Sequence, residues 1–92
     1  MTQETTLIAI EGISIKSTFD GHEATTQVDD ATVTLKLDHQ YKPLSIHVSG
    51  SATKVLYEGT VGCACEKFSE LLVAADAYTT ENIIILQNLC NH

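Results

Sequence analysis

The chain alternates apolar and polar residues through its first half and shifts to a helical spacing in its last third. The cleanest alternation is Ala31-Thr32-Val33-Thr34-Leu35-Lys36-Leu37-Asp38. Successive strand side chains point to opposite faces, so Ala31, Val33, Leu35 and Leu37 are predicted to face the core. Leu44, Ile46 and Val48 alternate in the same way with Ser45, His47 and Ser49. Lys54 to Val61 reads as a further strand, with Val55, Tyr57 and Val61 on one side.

Leu7 to Ile15 is also a strand signal, but its phase slips at Glu11-Gly12. A bulge there keeps Ile8, Ile10, Ile13 and Ile15 on one side. The alternative is a tight turn between two shorter strands. Phe19-Asp20-Gly21-His22 predicts a hairpin with Asp-Gly in a type I′ turn and a return strand from His22 to Val28. Asp29-Asp30, Gln40-Tyr41-Lys42-Pro43 and Ser49-Gly50-Ser51 mark further turns.

After Gly62 the period changes. Cys65, Phe68, Leu71, Leu72 and Ala75 follow helical spacing, and Tyr78, Ile83, Leu86, Leu89 and Cys90 nearly continue it. Thr79-Thr80-Glu81 reads as a break with a new N-cap. The last third is therefore two short helices or one long kinked one. A competing reading makes Asn82 to Leu86 a final strand, because Ile83-Ile84-Ile85 suits a sheet. The expected fold class is α+β: an antiparallel sheet of four to five strands, covered on one face by one or two C-terminal helices. The 92 residues form a single domain.

Composition changes this picture in two ways. Aromatic residues are few and Trp is absent, so the core must be built from Ile, Val, Leu and Ala. Charge is more informative. The net charge is −7, and none of the five cations is Arg. Arg supplies the planar fork that reads phosphates and base edges, so its absence argues against direct nucleic-acid binding. The negative charge lies in residues 1–30 and 61–92, not in the middle of the chain. Met1 to Lys16 lacks a basic segment followed by a long apolar one, and the longest apolar run is Leu71 to Ala75. Neither a signal peptide nor a membrane span is expected. Three cysteines without a secretory signal suggest a reducing cytoplasm.

The candidate chemistry begins with Cys63, Cys65, Cys90 and His92, which together supply the ligand count of a Cys3His zinc site. Paired zinc cysteines usually have two to four residues between them, and Cys63 and Cys65 have one. Cys65 and Cys90 also fall in the apolar stripe, where a cysteine packs as a small hydrophobe. Packing is therefore the expected role of these cysteines, with a redox or disulfide role as a further reading. Cys63 is expected just before a helix N-terminus, where thiol pKa falls. Asp20-x-His22-Glu23 and Asp38-His39 suggest acid–base pairs, but both fall at turns and no nucleophile stands beside them. Ser49 to Lys54 lacks the Gly-Lys-Ser/Thr ending of a phosphate loop, so no cofactor is expected.

The acidic residues remain. Glu66 and Glu70 stand four apart on the outward side of the predicted helix, at a spacing where like charges slightly destabilise it. Asp20, Glu23, Asp29 and Asp30 gather around the first hairpin and its following turn in the sequence. Together these six acids are the candidate partner-binding residues. The expected function is that of a small, non-enzymatic, cytoplasmic binding protein docking an acidic face on a basic surface of a protein partner. Phage-encoded inhibitors, anti-CRISPR proteins among them, often share this size and charge. That is an analogy of class, with no shared motif. A structural or assembly subunit that forms homo-oligomers through a Thr-rich sheet edge is one alternative. A metal- or redox-dependent protein using Cys63, Cys65 and Cys90 is another.

Overall fold

A computed structural model describes residues 10–50 and 54–90, except for the side chains of residues 54–57. The expected strand residues Leu7 to Ala9, the turn residue Ser51 and the candidate ligand His92 lie outside this range, as do the side chains of Val55 and Tyr57. Four strands, β1 (Ile13–Thr18), β2 (Gly21–Val28), β3 (Ala31–Leu37) and β4 (Pro43–Ser49), precede two helices, α1 (Lys54–Ala74) and α2 (Thr80–Cys90). The strands form an antiparallel sheet in the order β1-β2-β3-β4. Helix α1 packs on β2 and β3, and α2 packs on β4 and α1. The fold is α+β, with both helices on one face of the sheet.

Strand register sets the core. Ala24 pairs with Leu35, and Thr26 with Val33. Ile13 and Ile15 stand opposite Thr26 and Ala24. Ala24, Val33 and Leu35 are fully buried against a helix face made of Ala64, Phe68, Leu71 and Leu72. Each large apolar side chain so buried contributes about 1.5–3 kcal/mol. Threonine 26 is buried on this side without penalty, because its hydroxyl donates to the Gly12 carbonyl at 2.8 Å.

That bond belongs to a turn, not to the expected bulge. The Ile13 N–H donates to the Ile10 carbonyl at 3.1 Å, and Gly12 has φ +86°. Glycine takes this conformation without a Cβ clash, so Glu11-Gly12 reverses the chain. The first hairpin also shifts by one residue. Thr18 pairs with Gly21, so Phe19-Asp20 form the loop and neither has positive φ. The turn is thus not type I′. Gly21 opens β2 at φ +151°, where a Cβ would run into the Leu37 carbonyl oxygen. At the far end of the sheet β4 opens on Pro43, and a register shift falls between Lys36 and Leu37. Both features make the β4 edge a poor template for a further strand.

The largest correction concerns Lys54 to Val61, which is helix and not strand. Thr60, Val61, Ala64, Phe68, Leu71 and Leu72 are all buried, and their spacing is helical from Thr60 onward. Gly59 and Gly62 lie inside α1 with open space where a Cβ would be. Each glycine costs roughly 1 kcal/mol relative to Ala in a helix. Burial of the opposite face outweighs that cost.

The ends of the helices follow from local hydrogen bonds. Asp76 takes φ +58°, the Asp76 N–H donates to the Val73 carbonyl, and the Ala77 N–H donates to the Leu72 carbonyl. This is a Schellman stop with Asp in the place usually held by Gly. Thr79 then caps α2, its hydroxyl accepting from the Asn82 N–H at 3.1 Å. The buried Asn82 amide donates to the Ala77 carbonyl at 2.8 Å. Asn82 to Leu86 is therefore helix, and the strand reading of the three isoleucines falls.

Candidate functional site

Helix α1 turns 100° per residue, which separates its surfaces sharply. The buried residues Ala64, Phe68 and Leu71 define one side. Glu66, Glu70 and Val73 occupy the opposite side and are exposed. Glu66 and Glu70 lie one turn apart, about 6 Å along the axis. Neither carboxylate has an ion-pair partner among the described residues. Val73, 60% exposed, extends the stripe by a further turn.

The other four candidate acids do not join them. Asp20 lies at the β1–β2 turn, and Asp29 and Asp30 lie at the β2–β3 turn. These turns sit at opposite ends of β2, whose eight residues extend about 25 Å. Glu23 lies between them on the sheet face away from the helices. It stands in register with Lys16 on one side and Lys36 on the other, and the Lys36 ammonium is 4.0 Å from its carboxylate. Closeness in sequence did not become a patch in space, because a strand separates its two ends.

A different grouping of charge emerges. The helix layer carries Glu58, Glu66, Glu70, Asp76 and Glu81 against Lys67 among the described side chains. Lys67 is half-buried and reaches back toward Gly12, away from the exposed stripe. Glu81 stands 3.9 Å from Lys42. The open sheet face holds Ser, Thr and Gln with Lys16, Lys36 and Glu23, a weakly positive surface. The two layers thus have opposite character.

The cysteines divide. Cys65 and Cys90 do not act only as the small packing residues expected from the apolar stripe: they form a disulfide across the α1–α2 contact, with 6.4 Å between their Cα atoms. Cys63 is free and exposed, about 200° around α1 from Cys65. It lies well inside the helix, so the expected helix-entrance position is not realised. The candidate zinc set is not assembled: Cys65 and Cys90 bind each other and Cys63 points elsewhere. Among the described residues no cluster of three or more His, Cys, Asp or Glu side chains has metal-binding geometry. An open groove of about 590 Å³ runs between α1 and α2, lined by Glu58, Gly62, Ser69, Leu86, Gln87 and the disulfide.

The histidines are placed without a nucleophile. His22 stacks on Tyr41 with ring centroids 4.3 Å apart, and His39 meets its edge at 6.3 Å. The Nδ1 of His22 is buried with no hydrogen-bond partner among the described residues. Asp38, the expected partner of His39, instead accepts the N–H groups of Gln40 and Lys42 through one carboxylate oxygen. It shapes the turn that leaves Tyr41 at φ +64°. The His22–Tyr41 stack is not legible from local pattern, since the two residues meet only through the β2–β3 register.

No known protein family, characterised protein or solved structure matches this chain. Its surface must therefore be read from its own chemistry. No helix among the described residues is long and apolar enough to cross a membrane. The most distinctive surface is the exposed side of α1, where two carboxylates with no ion-pair partner among the described residues sit beside an exposed apolar side chain.

Proposed function

We propose that this chain is a non-catalytic binding protein that docks the exposed side of α1 on a basic surface of a protein partner. The observation that carries this reading is the separation of charge between the two layers. Among the described residues Glu66 and Glu70 are exposed with no ion-pair partner, whereas Glu23 on the other layer has Lys36 at 4.0 Å and Lys16 in register. Uncompensated carboxylates on a rigid helix attract a positive groove and set the orientation of docking. Val73 at the end of the stripe supplies an apolar anchor.

In its most specific form the reading is an inhibitor that covers the nucleic-acid-binding surface of a larger protein or complex, as phage-encoded anti-CRISPR-type inhibitors do. It would act in the cytoplasm of the host cell. The absence of Arg fits a protein that competes with nucleic acid and does not bind it. The test is affinity capture from cell lysate at low and high salt, with mass spectrometry of the bound proteins. A nucleic-acid-handling protein held at low salt, released at high salt and lost with Glu66→Lys/Glu70→Lys is the expected result. Capture unchanged by that double charge reversal overturns the reading.

A further inference from the structure

We propose that the Cys65–Cys90 disulfide is a latch on α2 that low-molecular-weight thiols open and close. This inference stands apart from the docking surface and rests on where the bond lies and what it holds.

The bond lines an open groove. Both cysteines are only half-buried, and both belong to the wall of the cavity between α1 and α2. The neighbouring wall residues Gly62 and Ser69 are small, and no Cβ at Gly62 would meet another atom. A small thiol therefore has access to the sulfurs without unfolding of the core, whose Phe68 and Leu71 lie on another side of α1.

The bond also holds the weaker half of a weak element. Helix α2 has eleven residues, fewer than an isolated helix needs to persist in water. Its buried residues are Asn82 and Leu86, and Ile83, Leu89 and Cys90 are partly buried against the core. Its N-terminal end is fastened without the disulfide: Thr79 caps it, Asn82 holds the Ala77 carbonyl, and Glu81 meets Lys42. Its C-terminal end is fastened at Cys90, in the last turn. Opening the bond frees residues 87–90 to fray, while residues 80–86 stay held by the cap and by the buried Leu86.

The chemistry balances with a single class of co-reactant. A thiolate, RS⁻, attacks one sulfur of the pair, and the S–S bond breaks. The other cysteine leaves as a thiolate and takes a proton from water. A second RS⁻ attacks the mixed disulfide, releasing RSSR and the second cysteine thiol. The net change is reduction of the protein disulfide to two thiols and oxidation of two RSH to RSSR. Closure is the reverse, with RSSR as oxidant. Cys63 cannot take the part of the second thiol, because it projects about 200° away from Cys65 on a rigid helix.

The test uses the full chain in glutathione buffers of graded reduced-to-oxidised ratio. Thiols are trapped by alkylation and counted by mass spectrometry, and backbone amide hydrogen exchange is followed on the same samples. As the ratio rises, Cys65 and Cys90 should open together through a glutathione adduct on one of them. Amide exchange in residues 87–90 should then rise about tenfold or more, with residues 80–86 and α1 much less affected. Cys65→Ser/Cys90→Ser should show the fast exchange at every ratio, and Cys63→Ser should leave the transition in place. The proposal is overturned if the bond stays closed in fully reduced glutathione, or if it never closes in oxidised glutathione. It is equally overturned if the bond opens with no change in α2 exchange. The titration of the unsubstituted chain decides the matter even if the serine variant fails to fold.

Discussion

The Glu23 carboxylate stands 4.0 Å from the Lys36 ammonium, and Lys16 faces it from the opposite strand. One acid is thus held between two lysines on the sheet, while Glu66 and Glu70 on α1 have no ion-pair partner among the described residues. Reversing charge at the two places should have different consequences. Glu66→Lys/Glu70→Lys should weaken capture of a basic partner by tenfold or more, about 1.4 kcal/mol, and flatten its salt dependence. Glu23→Lys should change it by less than about threefold. Titration calorimetry or surface binding at two ionic strengths separates the two. Equal losses at both sites would place the docking surface elsewhere.

Asn82 links the end of one helix to the start of the next. Its amide donates to the Ala77 carbonyl at 2.8 Å in a buried position. Asn82→Ala leaves that carbonyl without its partner and should destabilise the fold by about 1–3 kcal/mol in urea titration. Thr79→Ala, which removes only the cap, should cost about 1 kcal/mol.

Two glycines predict opposite signs. Gly62 lies in the middle of α1 with nothing near a Cβ, so Gly62→Ala should stabilise by up to about 1 kcal/mol. Gly21→Ala brings a methyl against the Leu37 carbonyl at φ +151° and should cost about 2–3 kcal/mol. Thermal melts of the two variants, compared with the parent chain, read the contrast directly.

Cys65 and Cys90 lie 25 residues apart in sequence. Closing a loop of that size removes denatured-state entropy equivalent to about 3.5 kcal/mol. Cys65→Ser/Cys90→Ser should therefore melt well below the oxidised parent, and the reduced parent should melt close to the variant. Melting of oxidised and reduced parent at one temperature would remove the disulfide from the stability of the fold.

The sequence was most legible where local pattern and tertiary environment agree. Ala31 to Leu37 alternates without interruption, and the sheet buries Ala31, Val33, Leu35 and Leu37 as that alternation requires. Thr79 was readable as a cap because its hydroxyl acts within three residues. The start of α1 was not readable in the same way. Gly59 and Gly62 weaken a helix locally, and only the sheet beneath Val61, Ala64 and Phe68 makes that helix favourable. The acidic site was half legible. Glu66 and Glu70 share a helix face, which sequence spacing fixes, and both are exposed. Asp20 and Asp29 are near in sequence yet sit at opposite ends of β2, a separation that depends on strand pairing.

Every pairing in the sheet joins strands consecutive along the chain, and the two helices follow in order. Little chain entropy has to be spent before contacts reward it, so the topology belongs to the faster-folding sheet proteins. On the ribosome the whole meander emerges before any of α1. Its apolar face then waits for Phe68 and Leu71, and the interval before they arrive is when a nascent copy is most exposed to sticking.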